Sequence, residues 1–338
     1  MHWSNAIKGN QIMKSIRSNL LERGDSTSPN RILYLLKSSD PTKTTTLRKQ
    51  FSTQFSKRFS ALKKIINESI INNDCFGLVK NQSTVSAQKN DWLKDLFPIG
   101  INRFKFRTDP EKINSFMEWL SDMENKSVAQ RVYFPQIGVG IEPIWTNTFI
   151  RRAYSGGIIF ARQHIKANKE LLSFINKTKN DFPTDDISVN DTLGSAFHSD
   201  RIGTVYTRVF TDLEGITKAM DAQISRELAD GLVRGLNPRE IARNIVDRVN
   251  KIGITRATIL ARTEVIRANH LAAIQEYRNA GITAVQVKAE WSTAGDYRVC
   301  ELCRPLEGKI FDLDKIEGMI PVHPQCRCAA LPSLPEVS

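Results

Sequence analysis

Four of the chain's five cysteines fall within the 29 residues from Cys300 to Cys328. They read Cys300-Glu301-Leu302-Cys303 and then, after an intervening loop, His323-Pro324-Gln325-Cys326-Arg327-Cys328. A C-x2-C pair forms a tight knuckle whose two thiolates point at one ion, and a second donor cluster further on closes the loop between them. Zinc takes four N or S ligands in a tetrahedron, and such a site orders a segment too short to build its own core. Cys300, Cys303, His323, Cys326 and Cys328 are five candidates for four places. Cys300, Cys303 and Cys326 are the favoured ligands, with either His323 or Cys328 as the fourth, because thiolates at i and i+2 can both reach one ion. A catalytic zinc needs only three protein ligands and an open position for water, so five candidates favour a closed structural site. The competing reading is a set of free, buried cysteines.

Metal ligation is preferred to a disulfide framework because of compartment. Met1 to Leu20 is polar and mixed, with no apolar h-region. No run approaches the ~18 apolar residues of a membrane span. The longest candidate, Gly156 to Ala161, is closed by Arg162. A protein of the reducing cytoplasm is therefore expected, with no membrane partner, and there clustered cysteines are better read as metal ligands.

The chain is 338 residues long, which allows two domains, and its 41% apolar content is enough to bury a core. The charge balance is less ordinary: 48 Lys and Arg against 36 Asp and Glu give +12. A surplus of this size points to a polyanion, of which nucleic acid is the commonest, although scattered surface lysines would give the same total. Residues 1–74 hold 13 Lys and Arg against 5 Asp and Glu, whereas residues 285–338 hold 6 against 8. The basic N-terminal half is thus the better candidate for contact with DNA, and the cysteine-bearing tail the poorer one.

Periodicity predicts a mainly α fold: a helical body with a small α/β, zinc-stabilised C-terminal module. Residues 1–42 read as a loosely ordered segment, with breaks at Asp25–Asn30 and Ser38–Pro41. Residues 43–185 read as a basic helical domain. Its strongest element carries Leu47, Phe51, Phe55, Phe59, Leu62, Ile66 and Ile70 at helical spacing, with Arg48, Lys49, Lys57, Lys63 and Lys64 on other faces. Core packing is the preferred reading of that stripe, and a basic amphipathic helix lying on DNA or a membrane is the alternative. Residues 80–108 read as irregular and Asp109-Pro110-Glu111 opens a short helix. Pro135–Pro143 is a loop, and a long helical stretch over 145–175 has a possible kink at Gly156-Gly157. Lys177–Asn190 reads as a domain boundary or hinge.

Residues 200–338 form the second domain, with the metal module at 285–330. One amphipathic helix carries Leu213, Ile216, Met220, Ile224, Leu228 and Leu232 and stops at Gly235. Asn237 then caps a second helix that has Pro238 at its first position and Glu240 placed for a capping box. A third runs from about Ile254 to Ala280 and ends at Gly281. On it His270 reads as a hydrogen-bonded core residue, and Arg262-Thr263-Glu264 as the site of an ion pair. Ala284 to Trp291 alternates as a strand, with Val285, Val287 and Ala289 on one side and Gln286, Lys288 and Glu290 on the other. No Gly-rich phosphate loop, G-x-S-x-G elbow or H-E-x-x-H occurs, so no catalytic residues are assigned. Asp296 and Arg298, just ahead of the knuckle, are candidates to brace it.

The run Ala261-Arg262-Thr263-Glu264, then Gly281, Trp291-Ser292, Asp296-Tyr297-Arg298-Val299-Cys300-Glu301-Leu302-Cys303, Gly308-Lys309 and His323-Pro324-Gln325-Cys326-Arg327-Cys328 resembles the phage Mu F-like head morphogenesis family. The likeness covers about residues 205–330. It implies a minor head protein of a tailed bacteriophage, present in the virion at the portal vertex and in the host cytoplasm during assembly. The implied roles are head assembly, DNA packaging or DNA delivery, the implied partners are the portal protein and other capsid components, and the implied protein is not an enzyme. Two alternatives of other classes stand beside it: a metal-dependent nuclease, and a zinc-stabilised protein that binds genomic DNA.

Overall fold

The structure, a computed structural model, describes residues 40–79, 102–129, 145–178, 188–281 and 287–334. The expectations for residues 1–39, for 80–101, for the Pro135–Pro143 loop and for 179–187 lie outside these residues, as do Ala284–Gln286 of the predicted strand. The elements are helices α1 (Thr45–Asn67), α2 (Asp109–Glu124), α3 (Trp145–Ala167), α4 (Lys169–Thr178), α5 (Val189–Gly194), α6 (Ala196–Val233), α7 (Pro238–Arg248) and α8 (Thr255–Gly281). Strands β1 (Lys288–Ser292) and β2 (Ile310–Asp312), the short helix α9 (Leu313–Glu317) and strand β3 (Ala329–Ser333) follow. Single π turns extend α1, α2 and α7. The fold is mainly α with a three-stranded antiparallel sheet, order β2-β1-β3, near the carboxyl end. Among the described residues no helix is long and apolar enough to cross a membrane.

The chain folds into two compact units that interleave along the sequence. Of the described residues, one holds those within 46–152 and 200–265, and the other those within 153–199 and 266–334 with 40–45. In the first unit the α1 stripe is core: Phe51, Phe55, Phe59, Leu62, Ile66 and Ile70 are all fully buried. Phe51 stacks on Phe149 at 4.7 Å and Phe55 meets Trp145 edge-on at 4.8 Å. The apolar face is therefore spent on packing and is not available to a membrane or to DNA. A capping box between Thr108 and Glu111 starts α2. The Asn237 side chain accepts the Glu240 N–H at 3.1 Å to start α7, as its sequence predicts.

In the second unit α3 runs unbroken through Gly156-Gly157. The interruption comes instead at Asn168, whose Oδ1 accepts the Leu171 N–H at 3.0 Å and caps α4. The glycine pair serves close approach, not bending. A Cβ on Gly157 would lie 2.1 Å from the Asn269 carbonyl oxygen of α8. The core of this unit joins Phe160, Ile165, Leu171 and Ile175 to Ile274 and Tyr277 of α8 and to Trp291, Ile316, Cys303, Cys326 and Cys328. On β1, Ala289 and Trp291 are fully buried while Lys288 and Glu290 are half-buried, which is the predicted alternation.

Candidate metal centre

Two loops of the second unit deliver the five donors. After β1 the chain turns through Gly295 and Asp296, and the Cys303 and Arg304 N–H groups donate to the Cys300 carbonyl at 3.2 and 3.0 Å. This knuckle places Cys300 and Cys303 side by side. The second loop, His323-Pro324-Gln325-Cys326, closes with the Cys326 N–H donating to the His323 carbonyl at 3.1 Å. Pro324 presets its own φ, and Gln325 takes a left-handed φ of 64°, the pattern of a type II turn. β3 then carries the chain back alongside β1, in register from Ser292–Ala329 to Lys288–Ser333.

The five donors gather in two overlapping groups. His323 Nε2 lies 3.1 Å from Cys300 Sγ and 3.3 Å from Cys303 Sγ, and the Cys303 and Cys326 sulfurs are 4.0 Å apart. Cys300, Cys303 and His323 form one close group and Cys303, Cys326 and Cys328 a second, with Cys303 common to both. Sulfurs on one tetrahedral zinc lie about 3.8 Å apart, as bonds of ~2.3 Å require. The Cys303–Cys326 spacing is of that size. His323 Nδ1 donates to the Pro324 carbonyl at 2.8 Å. A carbonyl can only accept, so Nδ1 carries a proton, and Nε2 is the ring nitrogen turned to the sulfurs, the one that would ligate a metal.

Burial and crowding act strongly on the thiols of the cluster. Cys303, Cys326 and Cys328 are almost wholly buried. A hydrogen bond from the Cys328 thiol brings Cys326 down to about 5, against the cost of its burial. Burial, followed by the charge of Cys326, pushes Cys303 up to about 12. Cys328 is pushed well above the thiol range, first by its role as donor to Cys326 and then by burial. Four crowded sulfurs cannot all ionise without a cation, and a donor set of sulfur and imidazole with no carboxylate suits zinc. The chemistry of the donor set, sulfur and imidazole, therefore fits zinc.

Asp296 is the main brace. It takes a two-pronged ion pair from Arg327, at 2.7 and 2.6 Å. It also accepts the Arg298 N–H at 3.0 Å and the Arg298 guanidinium at 3.2 and 3.0 Å. Arg327 stands between Cys326 and Cys328, so this pair ties one donor loop to the other and holds the Asp296 carboxyl far below the carboxylate range. The sequence reading singled out Asp296 and Arg298 but passed over Arg327, although an Arg inside C-x-C was there to be noticed. Helix α8 secures the module from below. His270 Nε2 donates to the Ile316 carbonyl at 3.0 Å, and the Tyr277 hydroxyl to the Ala330 carbonyl at 3.0 Å. Arg278 pairs with Asp314 and Glu317 at 2.6 and 2.7 Å. His270 is thus a buried, bonded core residue and stands apart from the ligand cluster. Glu264 of the Arg262-Thr263-Glu264 run lies 3.7 Å from Arg208, an ion pair within the unit of residues 46–152 and 200–265.

A second buried polar group had no sequence signal. His198 is bonded to the Tyr154 hydroxyl at 3.0 Å through Nδ1 and to Glu276 at 3.1 Å through Nε2. Arg162 donates to Glu276 at 2.6 Å and to Thr192 at 2.7 Å. Tyr154 and His198 are fully buried, and the group cross-links α3, α5, α6 and α8.

Residues 222–331 match the model of the family described as Phage Mu protein F like protein. The match covers the whole donor cluster and most of the resemblance read from the sequence, and it suggests a phage head morphogenesis protein. No curated protein and no solved structure matches the chain.

Proposed function

We propose that this chain is a minor head protein of a tailed bacteriophage. It acts at the portal vertex, in head assembly, DNA packaging or DNA delivery, with a structural zinc ion clasping its C-terminal module. The observation that carries this reading is that the family match and the donor cluster fall on one segment. The segment that matches the family is the same segment in which five N and S donors from two loops meet. Cys300, Cys303, His323 and Cys326 would hold the ion, with Cys328 beside them or in place of one of them. The ion would supply a cross-link between the knuckle and the His323–Cys326 turn. The family match supports virion location and capsid partners, and the portal protein is the partner proposed.

Genomic DNA is proposed as a further partner of the basic N-terminal half. Lys49, Lys57 and Lys64 of α1 are exposed on the side away from its buried stripe. A metal-dependent nuclease is the less favoured reading, because His323 faces the sulfurs and His198 and His270 are bonded within the core.

The test is retention of purified portal protein on the full-length, zinc-loaded chain, compared with Cys300→Ser and Cys326→Ser. Retention by the parent chain and its loss in both variants is expected. No retention even at low salt would remove the portal assignment. Metal analysis giving less than one zinc per chain would remove the clasp. For DNA, affinity should fall steeply as salt rises, and a flat response would strike DNA from the partners.

A further inference from the structure

The unit built from residues 46–152 and 200–265 has a polar cleft that the head-protein reading does not use. It lies between α2, with its π turn, and the middle of α6, and has a volume of about 290 Å³. Glu124 of α2 and Asp221 of α6 line it, together with the oxygen-bearing side chains of Ser121, Asn125, Glu214 and Thr217. Glu124 is only 4% exposed. It is hydrogen-bonded to Asp221, and burial pushes it up to about 10, with the Asp221 charge adding to the effect. Burial raises Asp221 as well, and a hydrogen bond between two carboxyls needs a proton on one of them.

Each carboxyl keeps one oxygen with no partner. Glu124 Oε1 and Asp221 Oδ1 are shut away from bulk water and meet no donor. Among the described residues no cation pairs with either side chain. An anion buried in this way is costly unless it is compensated, and orphaned acceptors in a native fold mark an ion or a water. A water would satisfy one acceptor but not the charge.

We propose that this cleft binds a hydrated divalent cation of the hard, oxygen-seeking class, with Mg²⁺ and Mn²⁺ as its representatives, anchored by Glu124 and Asp221. The side chains named above offer oxygen donors and no sulfur or imidazole, the set that selects Mg²⁺ and Mn²⁺ over zinc. The volume agrees: a water occupies ~30 Å³ of liquid, so the cleft holds an ion and several waters. Mg²⁺ keeps most of its waters and is commonly held by one or two carboxylates. The ion displaces the shared proton and braces α2 against α6. Lys218, exposed at the cleft wall, is the one positive side chain among the lining residues and keeps the affinity modest.

This inference goes beyond the head-protein reading and stands or falls without it. The test titrates Mn²⁺ into the full-length chain supplied with one equivalent of Zn²⁺, and electron paramagnetic resonance separates bound from free ion. The expected result is one Mn²⁺ per chain, displaced by Mg²⁺, with affinity at least tenfold lower in Glu124→Gln and in Asp221→Asn. Glu124→Gln retains a donor to Asp221, so circular dichroism and melting without Mn²⁺ should match the parent and separate lost binding from lost fold. Lys218→Gln supplies a variant that leaves the buried pair intact, and it should bind Mn²⁺ severalfold more tightly. No Mn²⁺ uptake by the parent chain, or uptake unchanged in both carboxyl variants, overturns the proposal.

Discussion

Replacing Asp296 by Asn keeps the shape of the brace and removes its charge. The carboxylate accepts five hydrogen bonds, three from Arg298 at 3.0 to 3.2 Å and two from Arg327 at 2.6 and 2.7 Å. An Asn amide would turn one acceptor into a donor facing guanidinium N–H groups. The Asp296 and Arg327 side chains are each 19% exposed, so the pair lies between two regimes. Surface pairs contribute ~0–1 kcal/mol, and breaking a buried pair costs ~3–5 kcal/mol. A two-pronged pair at this exposure should cost about 2 kcal/mol. Zinc affinity gives a second route to the figure. Outer partners that orient metal ligands are worth ~10–100-fold in affinity, or about 1.4–2.8 kcal/mol. The two routes agree. The Asp296→Asn chain should therefore hold zinc about thirtyfold more weakly, measured by competition with a chromogenic chelator at pH 7. Acid dependence supplies a control with a definite sign. The folded Asp296 is depressed below its unfolded value of ~3.9, so its contribution is complete above that pH and fades only as pH falls through the lower folded value. The gap between parent and variant should then stay constant from pH 7 to 5, while both lose zinc as the cysteines protonate. A variant that binds zinc within twofold of the parent would refute the idea that Asp296 positions the donor loops.

Three further outcomes follow from the same geometry. Glu276→Gln removes the charge opposing Arg162 in a site where Glu276 is 3% and Arg162 18% exposed, and urea denaturation should show a loss of about 3 kcal/mol. The hydrogen bonds of His198 and Arg162 outweigh burial and hold the Glu276 carboxyl low. The difference should therefore be full above pH ~4.3 and shrink as pH falls below it. Gly157→Ala puts a methyl 2.1 Å from a backbone oxygen and should cost about 3 kcal/mol or prevent folding. By contrast Gly156→Ala meets only the Asn269 side-chain nitrogen at 3.5 Å and should gain about 0.5 kcal/mol, read from paired melting curves. Chelation should expose the 296–328 loops to amide exchange while α1, α2 and α6 stay protected. Uniform protection with and without chelator would mean that the metal orders nothing.

What the sequence made legible was whatever repeats at short range. The α1 stripe announced itself because Phe51, Phe55 and Phe59 recur with the helix and bury without exception. Asn237-Pro238 with Glu240 could be read because capping is a matter of three adjacent residues. The donor cluster was legible for a chemical reason, since cysteine and histidine at ligand spacing have few other uses. The failures have one cause. The role of Gly157 depends on the Asn269 carbonyl, more than a hundred positions away, so the pair looked like a kink. Tyr154, His198 and Glu276 are separated by 44 and 78 positions, and no local pattern joins them. Glu124 and Asp221 each look like ordinary solvated acids until α2 and α6 are placed together.

The same long-range dependence changes what the matched segment is. Spacing alone treats the cysteine tail as a clasp that must order itself, because so short a stretch buries little. In the fold, Cys303, Cys326 and Cys328 belong to a core that also holds Phe160, Ile165, Leu171 and Ile175, all of them upstream of residue 200. Glu276 of the matched segment likewise takes its counter-charge from Arg162. Residues 222–331 thus carry the chemistry of the centre without carrying all of its support. On the proposed reading, metal and core would act on different terms: the core holds the floor of the module through Trp291, Ile316 and α8, and a bound ion would hold the two loops above it in register. Loss of the ion should loosen the loops and leave the floor, whereas loss of the upstream helices removes the surface on which the loops are built.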